Sequence, residues 1–336
     1  MNAVAELRDS LSTPSPEVVE SLARGEGDIM LLGVGGKIGP ELAVMARRAL
    51  DLAGSRARVI GVARGLPDDT DLYLKRAGVL VERADLMTGL HRLPDASRIV
   101  YLAGRKFGTS GDEHGTWALN AYLPGRVMER FPHSRVVAFS TGNVYPLVPV
   151  TSGGADEDTP PGPVGEYAAS CLGRERIIEH FSRANGTPAA IVRLNYAVEA
   201  RYGVLLELAT AVHRGDPVDL ATGNVNVVWQ GDVNTTTLRL FEHCAAPPYV
   251  LNVAGPETAS VRWLARQLAA RLGTEARFTG TEEPTALLSN AARCAALFGH
   301  PTVPLHRLLD LTADWVRSGA AVHGKDTHFQ EREGRY

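Results

Sequence analysis

Short apolar runs rich in β-branched residues alternate along this chain with longer segments whose apolar positions repeat at helical spacing. The first run, "DIMLLGVGG", ends in glycines and leads into "PELAVMARRALDLAG", where Pro40 suits the first helical position. The alternation continues through "ARVIGVAR", "GVLVERADL", "SRIVYLAG", "RVVAFSTG" and "AAIVRLN", with room for a crossover helix between runs. Runs apolar on both faces belong to a parallel sheet covered on both sides, so the predicted class is α/β, a Rossmann-type doubly wound parallel sheet. After Asn195 the pattern loosens, returns at "YVLNVAG" (249–255), and ends in the helical stretches "SVRWLARQLAARLG" and "PLHRLLDLTADWVRSG". The expected organisation is a main domain over 28–195 plus 226–255 and a smaller discontinuous C-terminal domain over 196–225 plus 256–320. Residues 1–27 read as an N-terminal appendage holding one short helix, with Ser15 as cap, Pro16 at its first position and Gly25 as its stop. Residues 321–336 read as an extended polar tail, whose His328, Phe329 and Arg332 could drape over a pocket or a neighbouring copy.

Composition narrows the function. The 336 residues are 44% hydrophobic and 22% charged, enough for a large core, and the net charge of −3 has no basic run behind it. Nucleic acid and acidic membrane surfaces are therefore not expected partners; small molecules are. Cys171, Cys244 and Cys294 form no close pair, and the histidines are scattered singly, so neither a disulfide framework nor a metal site is indicated. With no apolar leader or spanning stretch, a reducing cytoplasm is the expected location.

"GVGGKIG" places Gly33, Gly36 and Gly39 three apart between a strand and a helix. There the chain must turn sharply and a pyrophosphate must approach the backbone N–H groups of the helix N-terminus, so a dinucleotide site is expected. From this turn onward, over residues 28–320, the chain resembles an extended short-chain dehydrogenase/reductase of the NAD-dependent epimerase/dehydratase family. The resemblance implies that Gly33, Gly36, Lys37, Ile38 and Gly39 hold the cofactor, that Asp85 and Leu86 of "ADL" meet the adenine, and that Leu102, Ala103 and Gly104 of "LAG" line the strand-four side. "LAGRKFG" is similar to a family stretch whose lysine contacts the cofactor, a role that carries over to Lys106. The acid that accepts hydrogen bonds from the ribose of NAD is replaced by Ala63 and Arg64 in "GVARG". Arg64 could pair with a 2′-phosphate, which favours NADP over NAD.

The resemblance also implies a catalytic set. Thr141 in "FSTGNVYP" falls on the hydroxyl that orients the substrate oxygen, Tyr167 in "EYAASC" on the general base, and Asn120 in "WALN" on a structural asparagine. A phenol with a pKa of about 10 needs nearby positive charge to act as a base at neutral pH. The family supplies a lysine one helical turn on; here that position is Cys171, a thiol that offers no cation. Either Lys106, Arg105 or Arg174 substitutes, or the oxidised cofactor's own charge suffices, or Tyr167 has ceased to be a base and the protein only binds dinucleotide. Cys171 is expected to pack rather than attack.

On the substrate side, "IVRLNYAVEARYG" places Asn195 on a substrate-contacting asparagine, with Thr141, Asn143 and Trp229 as further contacts. The stretches that carry diphosphate-clamping arginines in nucleotide-sugar members read "LATGNVNVVWQGD" and "FTGTEEPTALL" here, neutral or acidic. That argues against a nucleotide sugar and for a sugar-like alcohol or hydroxy acid, with Arg193 and Arg201 available to a carboxylate. The expected protein is an NAD(P)-dependent oxidoreductase or epimerase working by hydride transfer. A nucleotide-sugar epimerase and a non-catalytic dinucleotide-binding regulator are the alternatives. The helices around 113–130 and 165–184 are expected to pair two copies into a homodimer.

Overall fold

The computed structural model describes residues 3–106, 108–109 and 111–335; Met1 and Asn2 of the expected appendage and Tyr336 of the tail lie outside them. Seven parallel strands form the central sheet: β1 (Ile29–Leu32), β2 (Val59–Ala63), β3 (Leu80–Arg83), β4 (Arg98–Tyr101), β5 (Arg135–Thr141), β6 (Ala189–Leu194) and β7 (Tyr249–Val253). Their order across the sheet is β7-β6-β5-β4-β1-β2-β3. The order reverses direction beside β1, which puts a crevice at the carboxyl ends of β1 and β4, where open α/β sheets bind ligands. The predicted doubly wound fold is the observed one.

The two-residue period of each strand divides the core. Ile29 and Leu31 of β1 face one layer of helices with Leu42 and Leu50, while Met30 and Leu32 face the other with Leu123 and Val127. A separate core, built from Leu205, Leu208, Leu264, Leu268 and Leu309, joins the helices Val204–Arg214, Val261–Leu272 and Leu305–Ser318 into the smaller lobe. Burying a leucine of this kind contributes about 2 kcal/mol, so the lobe has a core of its own.

The N-terminal segment differs from expectation. It forms two helices, Ala3–Ser12 and Pro16–Arg24, because Val4, Leu7 and Leu11 already follow helical spacing ahead of the Pro16 start. Leu7 and Leu11 enter the second core and Val18 and Leu22 the first, and the Leu11 carbonyl accepts a hydrogen bond from Asn234 at 2.9 Å. The segment thus ties the two cores together. The tail is also seated: Thr327 and Phe329 are buried, the latter within the second core.

Candidate active site

The glycine turn is enforced by backbone contacts. Gly33 has φ +95°, and a Cβ on it would lie 2.8 Å from the backbone N of Ala103. A Cβ on Gly39 would lie 2.3 Å from the Val34 carbonyl oxygen. At Gly36 the nearest atom would be 3.6 Å away, ordinary contact, so packing within the turn does not require glycine there. The space it leaves opens into a cleft of about 410 Å³ lined by Gly33, Gly36, Arg64, Asp85, Leu86 and Ala103, with Leu102 and Gly104 also on its wall. A cradle of small residues at a helix N-terminus fits a dinucleotide pyrophosphate. Asp85 caps the short helix Leu86–Gly89, accepting from Met87 N at 2.8 Å, and its carboxylate lies 3.9 Å from Arg64.

Beyond the turn a second cavity, of about 180 Å³, brings together Lys37, Lys106, Thr141, Asn143, Tyr167 and Asn195; Ile38 is also on its wall. Thr141 ends β5, where a short 3-10 turn follows, and donates to Asn143 Oδ1 at 2.9 Å. Tyr167 lies on the first turns of helix Gly165–Asn185, with its hydroxyl in hydrogen-bond reach of Thr141 and Cys171. Burial raises the Tyr167 pKa well above the ordinary phenol value, Cys171 adds to the rise, and Arg174 opposes it. Burial likewise pushes the Cys171 thiol up, with Arg174 the chief opposing influence. Cys171 is fully enclosed among Val144, Tyr145, Ala286 and Leu288, so it packs.

The three candidate cations fare differently. Arg105 is ion-paired with Asp112. Arg174 is buried with its donors on neutral acceptors: Asn120 O at 3.1 Å, Asn120 Oδ1 at 3.0 Å and Phe139 O at 2.6 Å. Its guanidinium lies 5.6 Å from the Tyr101 ring centre, and a Cβ on Gly104 would lie 2.5 Å from its Nη2. Lys106 Nζ stands 6.0 Å from the Tyr167 ring centre and donates to the Thr327 carbonyl at 3.0 Å. Burial lowers its pKa to about 8. Burial, then repulsion from Lys106 and Lys325, lowers that of Lys37 to about 7. Asn120, on the π-helical turn Ala118–Tyr122, bonds Arg105 O at 2.8 Å and Ser170 Oγ at 3.0 Å, stapling the loop after β4 to the Tyr167 helix.

At the substrate end, Asn195 donates to Asn226 Oδ1 at 3.0 Å and to Leu287 O at 3.2 Å. Trp229, read above as a substrate contact, is 5% exposed and packs in the second core; its neighbour Gln230 faces the cavity instead. The chain turns into a helix at Gln230, and that turn swaps the two directions. Arg193 and Arg201 are not available to a carboxylate. Arg193 pairs with Glu175 at 2.7 Å, and Arg201 with Glu199 and Glu41 at 3.1 Å each. Tyr202, Glu207 and Thr327 border this end without having been singled out in the sequence. Tyr202 lies 3.0 Å beneath Lys37 Nζ, and Thr327 is bonded to Glu207 at 3.0 Å. Among the described residues no cluster could hold a metal ion, and no helix is long and apolar enough to cross a membrane.

Solved structures with this fold cover most of the chain. UDP-glucuronic acid 4-epimerase from Bacillus cereus in complex with NAD superposes with a TM-score of 0.71 at 21% identity, covering 88% of this chain and 98% of its own. UDP-glucose 4-epimerase from Thermus thermophilus in complex with NAD gives 0.70 at 20%, covering 87% and 100%. UDP-glucose 4-epimerase from Thermotoga maritima with UDP-glucose gives 0.70 at 18%, covering 87% and 99%. At these identities the likeness establishes the fold, and no curated protein sequence matches. The profile of the NAD dependent epimerase/dehydratase family matches residues 29–254, from the first strand of the central sheet through its last, and the chain belongs to that family.

Proposed function

We propose that this protein is an NAD-dependent epimerase that acts on a nucleotide-linked sugar. The observation that carries the reading is the meeting of the Thr141 and Tyr167 hydroxyls in one cavity with Lys106, at the foot of the dinucleotide turn. Bound nicotinamide supplies the hydride acceptor and donor. Thr141 orients the substrate oxygen, and Tyr167 takes the hydroxyl proton and later returns it. Arg174 opposes the burial that raises the Tyr167 pKa without cancelling it, and Lys106, 6.0 Å from the ring centre, stands as the nearby cation that Cys171 is not.

The expectation against a nucleotide sugar rested on two neutral stretches. UDP-sugar epimerases that share the fold over 87–88% of the chain support the opposite reading. The same structures support NAD, and Asp85 beside Arg64 weakens the case for a 2′-phosphate. Trp117 and Tyr122 are exposed on the helices expected to pair, apolar surface that supports a dimer. A second reading, a dinucleotide-binding protein without turnover, is favoured by the raised Tyr167 pKa next to Cys171. Incubation with NAD and a panel of UDP-sugars tests both. Epimer formation by NMR, lost in Tyr167→Phe, is the expected result. Tight NAD binding with no epimer and no reduced cofactor across the panel leaves only the second reading.

A further inference from the structure

The C-terminal tail runs across the outer half of the substrate cleft, held at several points. His323 N donates to Arg201 O at 3.1 Å, Thr327 is bonded to Glu207, and Phe329 is seated in the second core. Arg332 donates to Thr285 O at 2.7 Å, Thr285 Oγ1 at 2.8 Å and Ala221 O at 3.3 Å. These partners come from the two stretches that border the nucleotide side of the cleft in the sequence reading, so one guanidinium bridges both. Beyond it the backbones touch: a Cβ on Gly165 would lie 2.3 Å from the Gly334 carbonyl oxygen.

With the tail in place, the reaction cavity is about 180 Å³ and has Thr327 on its wall. The space under Glu331 and Arg332 is about 20 Å³. The second volume suits a water, and the first falls short of the roughly 300–1,000 Å³ that drug-sized ligands occupy. The reaction cavity must also admit the nicotinamide, so the seated tail leaves little room there for a nucleotide-linked sugar.

We propose that residues 323–335 are the specificity-determining strap of this enzyme. Seated, the strap restricts the site to a single ring; displaced, it uncovers the groove for the nucleotide part of the substrate. The inference rests on the nucleotide-sugar reading above. The anchors match a displaceable element. His323 Nε2 lies 3.2 Å from a Glu199 carboxylate oxygen, Thr327 is held by hydrogen bonds with Glu207 and Lys106, and Arg332 is held by hydrogen bonds with no carboxylate in ion-pair range among the described residues. Phe329 is the apolar pin.

The test uses the full chain with NAD bound and UDP as the probe. Arg332→Ala removes the bridge without touching the core, and Phe329→Ala removes the pin. Arg332→Ala is expected to bind UDP about tenfold more tightly than the parent, with NAD affinity changed less than about threefold. Hydrogen exchange over residues 323–335 is expected to speed up when UDP is added to the parent. Unchanged or weaker UDP binding in Arg332→Ala overturns the strap, as does a tail that stays protected while the parent turns over a UDP-sugar; that last outcome leaves the epimerase reading intact. Conversely, UDP binding that tightens on tail release with no epimerisation supports the strap and removes the epimerase reading. If Phe329→Ala fails to fold, Arg332→Ala alone decides.

Discussion

The dinucleotide end and the reaction end of the cleft are assembled from different kinds of sequence. At the first, one seven-residue turn does most of the work, and two of its glycines are dictated by backbone atoms a few ångströms away: Ala103 N for Gly33 and Val34 O for Gly39. At the second, the side chains come from positions 37, 106, 141, 167, 195, 202 and 327, and each is held by a polar partner on another segment or stands in a cavity wall. The difference teaches that Gly33 and Gly39 leave no room for a side chain, whereas the reaction end draws its groups from separate segments and has Cys171 where the resemblance implies a lysine.

Substitution at the rigid end gives the largest expected effect. Gly39→Val would drive a side chain into the Val34 carbonyl, 2.3 Å from the new Cβ, with no flexible neighbour to yield. A loss of stability of about 3 kcal/mol or more and a fall in NAD affinity of at least about 100-fold are expected, read by thermal unfolding and by NAD titration. A variant that binds NAD normally would show that the turn is not the cradle.

At the other end, Tyr167→Phe leaves the ring packing and removes the hydroxyl. Turnover should fall by roughly 10²–10⁴-fold, the span expected for loss of a general base, while NAD affinity moves less than about threefold. Equal losses in both would mean that Tyr167 holds the cofactor and transfers no proton.

What could be read from sequence follows the same division. The seven strands, the glycine turn and the doubly wound class were legible because apolar runs and glycines act through near neighbours in the chain. Thr141 and Tyr167 were legible through the segments that resemble the family, and the structure places their hydroxyls together. The direction in which Trp229 points was not, because one residue at a strand-to-helix turn decides which side chain meets the core and which meets the cavity. Nor were the pairings that consume Arg193 and Arg201, whose partners include Glu175 and Glu41, 18 and 160 positions away. The helix Ala3–Ser12 was missed although Val4, Leu7 and Leu11 carry its spacing, and the seat of Phe329 was missed because it lies in a core contributed from distant sequence.

Restoring the family's lysine separates redistribution of charge from simple loss. Cys171 is fully buried among apolar side chains, and the Arg174 guanidinium already shapes the pKa values of both Cys171 and Tyr167. Cys171→Lys would add volume and a second cation to an enclosed space with no carboxylate to spare. It is expected to cost about 3 kcal/mol of stability and to give no gain in turnover; Cys171→Ala should cost about 1 kcal/mol and leave turnover within about threefold. A faster Cys171→Lys enzyme would show that the charge was lost and never replaced.

The last expected effect is one of pH, and its sign differs between stability and activity. Lys37 and Lys106 have folded-state pKa values lowered to about 7 and about 8, below that of a lysine in the unfolded chain. Between those values and about 10.4 the unfolded state holds protons that the folded state has released, so stability rises with pH across that window. Below about pH 7 both states are protonated, and the folded state carries the cost of two buried, mutually repelling ammonium groups. Protein without NAD should therefore gain in unfolding temperature from pH 7 to 9, and Lys37→Met should flatten the rise. Activity should run the other way on the alkaline side, because discharge of Lys106 near pH 8 removes a cation that stands 6.0 Å from the Tyr167 ring. Adding NAD, whose pyrophosphate favours charged lysines, should shrink the stability slope in the parent more than in Lys37→Met. Stability and activity that climb together through pH 9 would exclude Lys106 as the replacement charge and leave Arg174, which stays protonated throughout, to support Tyr167 alone.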